Sequence, residues 1–374
     1  MSAAPARRFR ARDDLVELEG YHSPQVDVAV RLNTNESPEP PPAAFRAQLA
    51  AEMGDLDWNR YPDRGALELR AAIAAHHGVR PEQVLAANGS NEILQLVCLG
   101  FGGSGRSAAL FHPTYLMHAQ IAAITGTGVV TGNRALDFSL DLGEVQRVMD
   151  ESHPAITFLC SPNNPTGTVC SPEEVAQVAS LAPGVVVVDE AYGQFARWSA
   201  LELVNEDSSV VVTRTFSKTW SMAAARLGYL IGPAWLVAEL DKVVLPYHLD
   251  AVKQLAGRVA LRFEAEMIDR VRALVSERER LAAALGALAI EQWPSGANFI
   301  LFRPLAPASR ADGPAARRAL GQAVWQGLVD RSVLVRDCGS WPGLEGCLRV
   351  TVGTPHEGDA FLSALTSTLT EVLA

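Results

Sequence analysis

Residues 185–192 read VVVVDEAY, and this stretch decides the fold. Four successive valines, without alternation between apolar and polar positions, suit a strand buried on both faces. The run then stops on an acid. An aspartate at the end of a buried strand is costly to desolvate unless hydrogen bonds or a cation meet it. Asp189 therefore needs a positive partner, supplied by the protein or by a bound cationic ring.

Similar short apolar runs lie at 84–87, 108–111, 129–130, 156–160 and 210–213. Helix-periodic segments at 42–52, 66–76, 115–124, 142–150 and 172–181 surround or separate them, with a further one carrying Ile93, Leu96 and Val97. Apolar strands alternating with helices of this length predict an α/β fold, a mostly parallel sheet flanked by helices. In such sheets ligands collect at the carboxyl ends of the strands. Beyond 247 the texture changes. A charged helix over 250–285, in one or two pieces and solvated at 277–280, precedes strands near 298–302, 333–336 and 347–352. Helices at 315–330 and 357–373 complete a smaller α+β unit. The expected division is an N-terminal arm (1–40) packing on the small domain, a large domain (41–250) and a small C-terminal domain (251–374). GFGGSG (100–105) and GTG (126–128) miss the dinucleotide-binding spacing and read as loops.

Composition narrows the class. The chain has 374 residues, 48% hydrophobic, with a net charge of −10, which argues against nucleic acid or an acidic membrane surface as the main partner. No window approaches a membrane-spanning length, and the Arg-rich N-terminus lacks the apolar core of a secretory signal. Five scattered cysteines without a CxxC pair suit a reducing compartment and give no metal pattern. A cytoplasmic enzyme without a metal is the expectation.

Four strand-end clusters carry the chemistry. Gly89-Ser90-Asn91 opens a helix, whose free N–H groups and dipole favour an anion. CSPNNPTG (160–167) presents Asn164 either as turn chemistry or as an amide donor to a ligand. VVVVDEAY supplies Asp189 and Tyr192. Finally VVVTRTFSKTWSMAAARLG (210–228) places Lys218 in a polar turn, followed by a helix-like Ala-rich segment and Arg226. Together they provide an anion cradle, a buried carboxylate, amide and phenol donors, an aromatic at Tyr115 and a lysine. That set matches what holding pyridoxal 5′-phosphate requires.

On these residues the chain resembles the fold-type I, pyridoxal-phosphate-dependent class I/II aminotransferases, and within them the histidinol-phosphate branch. The resemblance is carried by RLNTNESP (31–38), NRYPD (59–63), NGSNE (88–92), HPTY (112–115), SPNNPTG (161–167) and VDEAY (188–192). RTFSKTWSMAAARLGY (214–229), LPYHL (245–249), ANFILF (297–302), VLVRD (333–337) and CLRVTVG (347–353) follow in the family's order. It implies that Lys218 is the covalent anchor, that Asp189 pairs with the pyridine nitrogen, and that Asn164 and Tyr192 bond the ring oxygen. Tyr115 would stack on the ring. Ser90, Asn91, Thr215, Ser217 and Arg226 would hold the phosphate, joined by Tyr61 of a neighbouring subunit in a homodimer. Arg349 would receive the substrate's anionic end, with Arg336, Tyr21, Tyr247 and Asn164 completing the substrate set. The implied reaction is transamination of L-histidinol phosphate with 2-oxoglutarate, giving imidazole acetol phosphate and glutamate in histidine biosynthesis. An aromatic amino-acid aminotransferase of the same branch is the alternative, as is a threonine-phosphate-type decarboxylase. A regulator that kept the fold but lost catalysis would usually carry an added DNA-binding domain, and nothing here remains over. The family's usual NENP reads NESP at 35–38, which touches the arm flanking the substrate. Trp220 reads as core packing.

Overall fold

A computed structural model describes residues 12–16, 18, 20, 26–307 and 313–373. In chain order the elements are β1 (Val30–Leu32), α1 (Ala43–Met53), α2 (Leu67–His77), β2 (Val84–Ala87), α3 (Ser90–Phe101), β3 (Ser107–His112), α4 (Met117–Ile124) and β4 (Gly128–Asn133). Next come α5 (Leu142–Ser152), β5 (Ile156–Cys160), α6 (Pro172–Leu181), β6 (Val185–Asp189), β7 (Val210–Thr215), β8 (Gly228–Ile231), α7 (Ala234–Leu240) and α8 (Ala251–Leu261). The remainder is α9 (Glu264–Leu285), β9 (Ile290–Gln292), β10 (Phe299–Pro304), α10 (Pro314–Asp330), β11 (Val333–Asp337), β12 (Leu348–Thr351) and α11 (Pro355–Leu373).

Seven strands form the larger sheet in the order β2-β8-β7-β6-β5-β3-β4. The valines of β6 explain its burial on both faces. Val185 and Val187 join Ile93, Leu94 and Ile121 on one side, while Val186 and Val188 join Val145, Val175 and Val178 on the other. Successive side chains of a strand point to opposite faces, so an unbroken valine run is what two helical layers demand. Two helices on one face start on capping side chains: Asp141 accepts from the first turn of α5, and Ser171 with Glu174 forms a reciprocal box at α6.

The smaller sheet runs β1-β11-β12-β10-β9. Its first strand comes from the N-terminal arm and pairs in parallel with β11, Val30 opposite Val333. The arm is thus sewn into the small sheet before the chain crosses to the large one.

Two sequence expectations need correction, and a third, the core place of Trp220, holds. The Ala-rich segment after Lys218 is no helix; only Ala223–Ala225 makes a short 3₁₀ turn. It ends in β8, which pairs antiparallel with both β7 and β2, so the parallel sheet has one reversed strand. The charged run at 277–280 is also not uniformly solvated. Glu277 is buried and takes two hydrogen bonds of 2.8 Å from Arg280. Trp220 is core, packed among Phe216, Tyr229 and Leu255.

A buried ion pair braces the floor of the sheet beside Asp189. Arg214 donates to Glu190 through Nε at 3.1 Å and Nη2 at 2.8 Å, and both residues are buried. Removing one partner strands the other charge in the interior. Arg214→Ala is expected to cost about 3–5 kcal/mol of unfolding free energy, measured by urea denaturation; a loss under about 1 kcal/mol would mean that water replaces the guanidinium.

Candidate active site

A cavity of about 490 Å³ opens where β5, β6 and β7 end, and their last residues Cys160, Asp189 and Thr215 all line it. The small sheet closes the other side with Arg336 and Arg349. Twelve of the fifteen residues singled out from sequence meet here: Ser90, Asn91, Tyr115, Asn164, Asp189, Tyr192, Thr215, Ser217, Lys218, Arg226, Arg336 and Arg349. Tyr61 and Tyr247 do not line it within one chain. They are exposed and stack on each other, ring centres 4.5 Å apart. Tyr21 lies outside the described residues.

Asp189 sits at the floor, 1% exposed. Its Oδ1 accepts from Ala191 N at 3.1 Å and Thr213 Oγ1 at 3.3 Å, and its Oδ2 meets His118 Nε2 at 3.0 Å. His118 is fully buried, stacked on Phe158 with ring centres 4.8 Å apart. Its ring stands edge-on to Tyr115. Sequence reasoning missed His118. His118 lies in the first turn of α4, just after Tyr115, yet nothing in the chain says that a carboxylate 71 residues later lies beneath it.

Lys218 stands on the excursion between β7 and β8 and is half-buried. Its amine donates to Thr34 O at 3.0 Å and lies 5.8 Å from the centre of the Tyr192 ring. Burial pushes its pKa down to about 7, helped by the charges of Arg349 and Arg226 and opposed by Glu36. Burial also pushes the Tyr192 phenol up to about 12, and its oxygen accepts from Asn35 Nδ2 at 2.8 Å.

The opposite end is an anion cradle. Helix α3 begins at Ser90 with no side-chain cap of its own, leaving its first N–H groups for a ligand. Gly89 precedes it at φ 83°, where a Cβ would come within 3.0 Å of Arg226 Nη2. Gly228 must also lack a side chain, since a Cβ there would lie 2.5 Å from Ser90 N. Arg226 itself has φ 51°, a left-handed conformation that costs a non-glycine residue of order 1–2 kcal/mol. It reaches Ser217 Oγ at 3.3 Å, while Thr215 Oγ1 accepts from Ser217 N at 3.0 Å.

On the small-sheet side Arg349 is buried, bonded to Asn164 Oδ1 and, at 2.9 Å, to Asn33 O. Its strand neighbour across the ladder is Arg336, which lies 6.0 Å from the ring of Trp341. Asn33, Asn35, Glu36 and Trp341 thus join the site without having been named as site residues from sequence, although RLNTNESP (31–38) carries the resemblance and its NESP reads as flanking the substrate.

Residues 27–365 match the family model for aminotransferase class I and II. The chain belongs to that family. This aminotransferase is 46% identical to the histidinol-phosphate aminotransferase of Frankia casuarinae, over 96% of this chain and 90% of the relative. It is 40% identical to that of Corynebacterium glutamicum, over 94% of each. Among solved structures it superposes on the histidinol-phosphate aminotransferase of Sinorhizobium meliloti, determined in complex with pyridoxal-5′-phosphate. The TM-score is 0.82 at 23% identity, over 92% of both chains. That likeness concerns the fold. No helix among the described residues is long and apolar enough to cross a membrane.

Proposed function

We propose that this aminotransferase uses pyridoxal 5′-phosphate to transaminate L-histidinol phosphate with 2-oxoglutarate, giving imidazole acetol phosphate and glutamate. The donor set fits the cofactor. Uncapped α3, Ser90, Asn91, Thr215, Ser217 and Arg226 suit its phosphate, Asp189 its ring nitrogen, Asn164 and Tyr192 its ring oxygen, and Tyr115 its face. Lys218 provides the amine that anchors it. When bound, the cofactor supplies an electron sink that acidifies the substrate's Cα–H. This chain's own residues do the rest. Asp189, fixed by three hydrogen bonds, holds a proton on the ring nitrogen. Lys218, with its pKa near 7, carries the Cα proton at neutral pH.

The observation that carries the substrate is the pair Arg336 and Arg349, directly opposed on antiparallel strands and facing one cavity. Like charges opposite each other destabilise a sheet, and an anion between them offsets that cost. A guanidinium fork suits both a phosphate ester and a carboxylate, so one site serves both half-reactions. The names of the relatives support the same donor. Trp341, Leu116 and Met117 add an apolar wall, which keeps an aromatic amino-acid donor as the second reading. The two are separated by stopped-flow half-reactions. Histidinol phosphate is expected to convert the enzyme to its pyridoxamine form at least about 100-fold faster than phenylalanine does, the value of one well-placed ionic contact. Faster conversion by phenylalanine would reverse the assignment.

The reading includes a cytoplasmic homodimer with three parts, 1–40, 41–250 and 251–374. Exposed Trp58, Tyr61, Leu67, Leu245 and Tyr247 form apolar surface of the kind that marks an interface, and Tyr61 would reach the neighbouring site.

A further inference from the structure

The arm residues 33–37 touch every wall of the cavity in turn. Asn33 O accepts from Arg349, Thr34 O from Lys218, Asn35 bonds Tyr192, and Ser37 Oγ lies 2.7 Å from Ser221 Oγ. Glu36 is set among these contacts. Thr34 Oγ1 donates to its Oε2 at 2.9 Å, and Glu36 lines the cavity with Lys218. Resting on the reading of Lys218 as the reacting amine, we propose that Glu36, oriented by Thr34, is a positioning residue that sets how firmly Lys218 holds its proton.

The charges around the amine make the argument. Arg349 comes from β12, Arg336 from β11 and Arg226 from the turn before β8. Asp189 lies at the end of β6, and the Tyr192 ring follows it. Of these, Arg349 and Arg226 drive the proton off Lys218. Asp189 is committed to His118, Thr213 and Ala191, which leaves Glu36 as the carboxylate on the arm side of the amine. Glu36 is exposed and borders a second cavity lined by Arg31 and Glu357. Such a side chain, left to itself, would sample many rotamers and its charge would be screened. The bond from Thr34 holds it in one place. Because Thr34 offers its carbonyl to the amine and its hydroxyl to the acid, one residue sets the spacing between base and counter-charge. A neighbouring carboxylate raises a lysine pKa, and Glu36 acts on Lys218 in that direction.

The test titrates the amine directly. Full-length chain freed of cofactor is acylated with acetic anhydride across a pH series, and the Lys218 peptide is quantified by mass spectrometry. In Glu36→Gln the midpoint is expected to fall by about 0.5 pH unit, a carboxylate's effect through partly screened surroundings. Thr34→Val should shift it the same way by less, and Glu36→Asp should restore most of the parent value. In the holoenzyme the acid limb of kcat, which reports the substrate-bound state where the amine is free, should move in the same direction. Coincident Lys218 titrations for the parent and Glu36→Gln overturn the proposal, as does a loss of kcat at every pH with the midpoint unmoved. Neither result would touch the role of Lys218, which is tested by its own substitution.

Discussion

Lys218→Met is expected to abolish turnover while making the cofactor-free fold more stable. On the proposed reading, the loss of activity follows from two roles ending at once, the covalent anchor and the base at Cα. General base catalysis alone contributes up to about 10⁴-fold, so kcat/KM should fall by at least that factor. Borohydride reduction should no longer fix a yellow cofactor to the chain. A retained, borohydride-fixed adduct on the variant would overturn the role of Lys218. The gain in stability comes from the linkage between pKa and folding. The lysine's pKa is about 7 in the fold against 10.5 for the ordinary side chain, so the unfolded chain binds the proton more tightly. That penalty is fully present below pH 7, shrinks as pH rises, and is gone above about 10.5. Methionine keeps most of the apolar stem and removes the charge. After discounting for the half-buried stem and the lost bond to Thr34 O, the expected gain is on the order of 2 kcal/mol at pH 6.5. Urea unfolding at pH 6.5 and 10 checks it, and the gain should be much smaller at the higher pH. A variant that loses both activity and stability at pH 6.5 would mean that the lysine is held charged by a partner in the fold.

The sequence spoke clearest where a single physical demand fixed both structure and chemistry. The valines of β6 had to be covered on both faces, and the acid that ends them had to be met by partners. Reading the strand and reading the site were therefore the same act. The excursion after β7 was harder. SKTWSMAAAR has the composition of a helix, yet Ser221 and Arg226 adopt positive φ and the segment doubles back into β8. Local propensity lost there to a path that brings both Lys218 and Arg226 into one cavity. Glu277 was misread for a related reason. A charged run looks solvated until α11 packs on it, and Gly358 leaves the room for its carboxylate. RLNTNESP marked the arm by resemblance alone; which residues 33–36 and His118 meet was not legible, because their partners lie 71 to 316 positions away. No local pattern encodes such a meeting.

Asp189→Asn separates holding the cofactor from activating it. The amide keeps the shape of the carboxylate and can still accept from Ala191 N and Thr213 Oγ1, which lie 3.1 and 3.3 Å from Oδ1. Against His118 it can turn its nitrogen to the ring, whose Nε2 can accept when the proton sits on Nδ1. The fold and the anion cradle, some residues away at Ser90 and Arg226, should therefore survive, and the yellow covalent form with them. What disappears is the negative charge that the proposed function assigns as partner to the ring nitrogen. An uncharged partner no longer favours a proton there, so the electron sink weakens just when Cα must part with its proton. Removing one preorganised electrostatic partner costs about 10²–10³-fold, and the loss should fall on the half-reaction rate rather than on donor affinity. Single-turnover stopped-flow with saturating histidinol phosphate reads this directly. A half-reaction within about fivefold of the parent would show that the buried His118–Asp189 pair is structural, leaving another group to carry the charge beneath the ring. Asp189→Ala is the harsher control, because it also leaves the buried His118 Nε2 without its partner, at about 1–3 kcal/mol in stability. If both variants slow the chemistry alike while only the alanine form lowers the unfolding midpoint, then the charge matters for catalysis and the side chain's shape for the fold.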